Sequence, residues 1–204
     1  MHSAVSKPLP GDVERILTFD ELPPRVRKIP ENFNPISDGV LMAHQRTWLE
    51  DKSDLKLCRK GRRTGITYST ALDKTIVAAS SGSAGGDNVY YVGDTKEKGL
   101  EFIGYCAHMA KVMACAMADG FMGIEVFLFE DQQEDGSSRK ITAYRIRFAS
   151  GFQIVALSSN PANIRGLQGH VVIDEAAFHR DVQAVIDACK ALLIWGGNIT
   201  ILST

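Results

Sequence analysis

The sequence predicts an α/β fold: a mostly parallel central sheet flanked by helices on both faces, with a β-hairpin insertion. Three observations lead there. Short apolar runs alternate with longer stretches of helical periodicity, the pattern of strand-helix-strand units. A basic, glycine-containing turn, RKGRRTGITY at residues 59–68, lies between a strand-like run and a helical one. The continuous apolar run Val171-Val-Ile173 ends in two carboxylates, Asp174 and Glu175, as a buried parallel strand does where its C-terminal end opens on a ligand crevice.

At 204 residues the chain has room for one full domain with a sizeable core. Its 45% apolar and 23% charged residues are ordinary for a globular protein, and a net charge of −1 provides no global field for nucleic acid. Any DNA contact must therefore come from a local patch. Cys58, Cys106, Cys115 and Cys189 are scattered, and the five histidines form no cluster. They read as buried hydrophobes in a reducing compartment, with no structural metal. No run reaches the length of a membrane span and the N-terminus lacks a signal peptide's apolar segment, so a cytosolic, membrane-free protein is expected.

Six of the seven prolines fall within residues 1–38, where no helical or strand period survives for long. This segment reads as an extended arm, either wrapped on the surface or serving as a tether. Residues 39–204 read as one catalytic domain. It opens with a helix over residues 40–51, with Leu41, Gln45, Trp48 and Leu49 at helical spacing. A strand over residues 54–58 follows, then the basic turn, then a helix over residues 66–80.

A turn from strand to helix is a place where phosphates bind, because the helix N-terminus presents unpaired N–H groups and partial positive charge. Gly61 and Gly65 let an anion approach the backbone of Thr64 and Ile66, Thr67 adds a hydroxyl in the first helical turn, and Lys60, Arg62 and Arg63 supply cations. The usual spelling, G-x-x-x-x-G-K-[ST], is not met: Ile66 holds the lysine position and Lys60 that of the first glycine. Lys60 is then expected to fold over the phosphates from the start of the loop, with Arg63 as second candidate. The competing reading is a basic surface turn. Asp174 is placed to hold Mg²⁺ and Glu175 to polarise the water that attacks a γ phosphate, the alternative being a solvated acidic turn.

Beyond the loop helix, residues 80–86 are a flexible connection and residues 88–93 a strand. A helix capped by Thr95 then runs to about residue 118, its stripe of Leu100, Ile103, Ala107, Ala110, Ala114 and Met117 packing the core. Strands follow over residues 124–129, 141–149 and 152–157, the first two separated by an acidic loop at 130–138 and the last two joined by a hairpin at Ser150-Gly151. Arg145 and Arg147 alternate with Tyr144, Ile146 and Phe148, so the middle strand has a basic face. It meets either DNA phosphates or, in the favoured reading, the acidic loop. A helix over residues 181–195 and a strand over 198–202 complete the chain.

The off-pattern loop, Ile164-Arg-Gly166, the run from Val171 to Glu175 and Ala176-Ala-Phe178 together resemble the ATPase domain of phage terminase large subunits, particularly the Mu-like group. The resemblance extends from about residue 42 to the chain's end. It implies a P-loop NTPase fold of the ASCE type, with an extra strand between the two nucleotide motifs. ATP hydrolysis with Mg²⁺ would then drive double-stranded DNA into a procapsid. By the same resemblance Gln45 reads adenine, Arg165 reaches into a neighbouring subunit's site, and Ser203 and Thr204 couple γ-phosphate loss to movement. Tying its own loop to a carboxylate is the alternative for Arg165. The implied partners are a portal protein, a terminase small subunit and further copies in a homo-oligomeric ring, in the host cytoplasm. No nuclease carboxylate cluster follows residue 204, so no DNA cleavage is expected. A helicase-like translocase and a non-catalytic binding module are the rival readings.

Overall fold

The structure is a computed structural model that describes residues 13–30, 41–116, 123–132 and 137–204. Its strands are β1 (Val13–Ile16), β2 (Leu55–Arg59), β3 (Val89–Val92), β4 (Glu125–Gln132), β5 (Ser138–Arg147), β6 (Gln153–Leu157), β7 (His170–Ile173) and β8 (Ile199–Ser203). Its helices are α1 (Pro24–Arg27), α2 (Ala43–Glu50), α3 (Ile66–Ala79), α4 (Lys96–Ala116) and α5 (Val182–Ile194). One eight-stranded sheet has the order β1-β4-β5-β6-β3-β7-β8-β2. The pairings from β6 through β3, β7 and β8 to β2 are parallel, whereas β1, β4, β5 and β6 pair antiparallel.

Two apolar layers cover the sheet, and strand alternation assigns residues to them. Val89 and Tyr91 of β3 join α3 and α4 in one core, while Tyr90 and Val92 join α5 in the other. Burial on both faces explains the uninterrupted apolar spelling of β3 and β7. Each large side chain so buried contributes about 1.5–3 kcal/mol. Helix α3 buries hydroxyls as well as apolar groups, and each turns back onto its own helix: Ser69 and Thr70 donate to Ile66 O at 3.0 and 2.8 Å, and Thr75 to Ala71 O at 2.7 Å. These three hydroxyls are satisfied within the helix, which lets their face enter an apolar layer; Tyr68 OH, in the same helix, is buried without a hydrogen-bond partner among the described residues.

Three readings of the sequence change. Strand β4 continues to Gln132 and β5 starts at Ser138, so the acidic loop is shorter than expected; residues 133–136 lie outside the described residues. Among the described residues the basic face of β5 pairs with a carboxylate of β4, Arg145 being buried and Arg147 exposed. Arg145 Nε donates to Glu125 at 2.5 Å and Arg147 Nε to the same carboxylate at 2.7 Å. Glu125 and Arg145 stand opposite each other in the β4–β5 register and are 2% and 4% exposed. A carboxylate taken out of water needs such partners, and the β4–β5 register brings both arginines to it. Finally, residues 13–30 of the proline-rich arm carry regular structure: β1 pairs with β4, and Leu22 and Val26 enter the core beside α4. The rest of the arm, residues 1–12 and 31–38, lies outside the described residues, as does the end of the expected helix at Met117.

Candidate active site

The C-terminal ends of β2, β3, β7 and β8 converge on a cavity of about 480 Å³ whose walls include Lys60 to Tyr68, Tyr91, Asp94, Asp174, Glu175 and Thr204. The parallel strands place it there, because loops leaving the carboxyl ends of such a sheet open a crevice.

The basic turn is held from outside. Lys60 N donates to Ser203 O at 2.7 Å, tying the start of the turn to the end of β8. At the far end, Gly65 takes φ +73°, and a Cβ there would lie 2.3 Å from Gln45 Nε2. Gln45 is 7% exposed; its amide nitrogen donates to Gly65 O at 3.1 Å and Thr64 O at 3.4 Å, and its oxygen accepts from Met42 N at 2.9 Å. The glutamine that the resemblance assigns to adenine is thus a buried brace of the loop, and the amide groups that would read a base are already engaged. Helix α3 starts at once after Gly65, so the first-turn N–H groups face the cavity mouth.

Lys60 decides the chemistry. Its Nζ donates to Thr67 Oγ1 at 2.9 Å, Asp174 Oδ1 at 2.7 Å and Glu175 Oε1 at 3.3 Å, with the Lys60 side chain 8% exposed. Thr67 Oγ1 in turn donates to Asp174 Oδ2 at 3.0 Å. Ile66, at the position where the usual spelling has lysine, is a buried core residue. The amine therefore arrives from the start of the loop rather than its end.

Asp174 is 2% exposed and accepts from Lys60, Thr67, its neighbour Glu175 N at 2.8 Å, and Tyr91 OH at 3.1 Å. Four donors on one buried carboxylate satisfy its lone pairs. Burial, reinforced by the Asp174 charge, pushes the Tyr91 hydroxyl well above its ordinary pKa, so it stays a donor. Glu175 adopts φ +53°, uncommon for a residue with a side chain. The turn that begins there runs through Ala176–Phe178 and is fixed by Ala177 N donating to Ser203 Oγ at 3.1 Å and by the His179 Nε2–Asp174 O contact of 2.8 Å. Thr204 Oγ1 reaches Glu175 Oε2 at 3.4 Å.

The structure thus gathers Lys60, Gly61, Thr64, Gly65, Thr67, Asp174, Glu175 and Thr204 around one space, with Ser203 clamping its floor and Arg62 and Arg63 exposed at its rim. Arg165 is apart: it is exposed and outside the cavity wall, and no ion pair ties it to a carboxylate among the described residues. The sequence reading missed Tyr91, His179 and Asp94. Asp94 follows β3, and its Oδ1 is buried without a partner beside the same cavity. Its place just past the carboxyl end of a parallel strand was the available signal. Tyr91 and His179 gave none, since each acts through a neighbour distant in sequence or through backbone.

For Mg²⁺, the donor set fits: a carboxylate and a hydroxyl within 3.0 Å of each other are hard oxygen ligands, and a cation already bridges them in the form of the Lys60 ammonium.

A phosphate-type loop after β2, an acidic pair after β7 and a further strand, β8, between them in the sheet define a P-loop domain of the ASCE type. The same fold is found in the ATPase domain of the large terminase of Thermus phage P74-26, with a TM-score of 0.55, 13% identity, and coverage of 80% of this chain and 64% of that one. No protein-family model matches the sequence. Over 172 residues, 84% of the chain, it is 43% identical to the Mu-like prophage FluMu protein gp28 of Haemophilus influenzae. Over 171 residues it is 42% identical to the probable terminase large subunit gp28 of Escherichia phage Mu. The chain is a homologue of the Mu-like phage terminase large subunit gp28. It spans about a third of these relatives' length, 32% and 30%.

Proposed function

We propose that this domain hydrolyses ATP with Mg²⁺ to drive double-stranded DNA into a procapsid, as the motor portion of a terminase large subunit. The observation that carries the reading is the Lys60 ammonium lodged between Thr67, Asp174 and Glu175, at contacts of 2.7 to 3.3 Å. An off-pattern loop without function has no reason to bury its one lysine against two acids.

Thr67 and Asp174 would hold Mg²⁺, which when bound supplies neutralisation of phosphate charge. The loop backbone from Gly61 to Ile66 and the α3 N-terminus cradle the phosphates. Lys60 exchanges its carboxylate contacts for phosphate oxygens, with Arg63 and Arg62 at the rim. That exchange frees Glu175 to orient and polarise the attacking water. Gln45 acts on the loop rather than on the base. Ser203 and Thr204, bonded to the Glu175 turn, relay loss of the γ phosphate to β8 and beyond. Arg165, exposed and unattached, serves a neighbouring subunit's site in a ring that engages a portal protein and a small subunit.

The test is Mg²⁺-dependent ATP turnover in wild type, Lys60→Ala and Glu175→Gln. Wild type is expected to turn over, and Glu175→Gln to fall by roughly 10²–10⁴-fold, the range of a lost general base. Turnover should rise more steeply than linearly with protein concentration and lose that rise in Arg165→Ala. An inactive wild type would establish the non-catalytic module instead, and activity surviving in both Lys60→Ala and Glu175→Gln would refute the roles given to these residues.

A further inference from the structure

Part of the cavity lining comes from α4 and from the N-terminal segment that precedes the nucleotide motifs. It contains Arg25, Lys98, Glu101, Phe102 and Tyr105. On this wall we propose that Arg25 is a phosphate-binding residue of the site, delivered in cis by residues 13–30 and parked on Glu101 until nucleotide arrives. The proposal rests on the nucleotide reading above.

The backbone carrying Arg25 is fixed. Helix α1 begins at Pro24, where a missing N–H costs nothing, and Arg27 Nε donates back to Leu22 O at 3.0 Å. Val26 is 3% exposed and packs on Gly104 of α4 so closely that a Cβ there would come within 2.9 Å of its Cγ2. Strand β1 anchors the same segment to β4. Position 25 is thus set by apolar docking and strand pairing, which leaves the guanidinium free of structural duty.

What holds the guanidinium is weak. Arg25 Nη1 lies 3.4 Å from Glu101 Oε1, and its side chain is 67% exposed. Glu101 does not depend on it: Tyr105 OH donates to the same oxygen at 2.8 Å, and Lys98 Nζ is 3.8 Å from the other. An exposed pair of this kind contributes little, whereas a guanidinium on a phosphate makes charge-assisted, bidentate bonds. Charge balance points the same way. Arg25, Lys60, Arg62, Arg63 and Lys98 line the cavity together with Asp94, Glu101, Asp174 and Glu175, and Lys60 can turn to phosphate only by giving up its contacts with two acids. A triphosphate entering this space is best met by cations that no carboxylate strongly retains; on the α4 side these are Arg25 and Lys98, and of the two only the guanidinium can make a bidentate contact with phosphate.

The experiment is equilibrium binding of a non-hydrolysable Mg·ATP analogue and of Mg·ADP to wild type, Arg25→Ala, Arg25→Lys and Glu101→Gln, with melting temperatures of each free protein. Arg25→Ala is expected to weaken the analogue by about tenfold or more, the range for a hydrogen bond to a charged group, with an unchanged melting temperature. Arg25→Lys should retain part of the affinity, and Glu101→Gln should bind as wild type or tighter because the cation is released. Unchanged affinity in Arg25→Ala overturns the proposal. So does equal weakening in Arg25→Ala and Glu101→Gln, which would make the pair a fixed wall, and so does a shared fall in melting temperature without an affinity change, which would make it a tether. A wild type that binds neither nucleotide instead overturns the nucleotide reading itself, and this proposal with it.

Discussion

Replacing Lys60 by methionine keeps the stem's volume and removes only the ammonium that bridges Asp174, Glu175 and Thr67 at 2.7, 3.3 and 2.9 Å. Deleting one partner of a buried pair costs about 3–5 kcal/mol. Here three other donors, Thr67, Tyr91 and Glu175 N, remain on Asp174, so the loss is expected nearer 2 kcal/mol. For a chain of 204 residues, each kcal/mol moves the melting temperature by about 2–4 °C. The variant should therefore melt roughly 4–8 °C below wild type in metal-free buffer. Its acids are then an unfilled cation site, and Mg²⁺ alone should restore part of the loss. If magnesium is present at ten times its dissociation constant, mass action returns about 1.4 kcal/mol. In wild type the ammonium competes for the same oxygens, so Mg²⁺ without nucleotide should shift melting far less. Scanning calorimetry with and without Mg²⁺ on both proteins is the assay. Equal Mg²⁺ shifts in the two, or a variant as stable as wild type, would refute the assignment of Lys60 as the occupant of a cation site.

Two further outcomes follow from packing and burial. Gly65→Ala forces a Cβ to 2.3 Å from Gln45 Nε2 at φ +73°; strain and a displaced buried amide should cost about 2–3 kcal/mol. Urea denaturation should show this cost shrinking in the Gly65→Ala, Gln45→Ala double variant, and a Gly65→Ala protein with the wild-type midpoint would refute the bracing role of Gln45. Burial, with Lys74 Nζ 3.4 Å away, pulls His170 down from 6.5 to about 4. The unfolded chain takes up this proton first, so the residue's contribution is whole above pH 6.5 and is lost as pH falls towards 4. The loss should be on the order of 2 kcal/mol, and denaturation of wild type and His170→Gln at pH 7.5 and 5 should show it only in wild type.

The sequence alone determined what depends on neighbours along the chain. From α2 onward, alternating apolar runs and helical stripes gave the strands and helices to within a few residues, because each element's burial is written in its own periodicity, whereas β1 and α1 in the proline-rich arm were not foreseen. The strand-turn-helix around Gly65 and the acids after β7 were legible for the same reason: the carboxyl end of a parallel strand is a place that local pattern can mark. Charge partners were not legible. Lys60 finds Asp174, Arg145 finds Glu125 across a strand pair, Gln45 spends its amide on the loop instead of facing solvent, and Arg25 reaches a cavity built by segments far along the chain. Only tertiary structure decides these, because a buried charge takes whichever partner the strand order and register bring within reach, and a single sequence does not state that order.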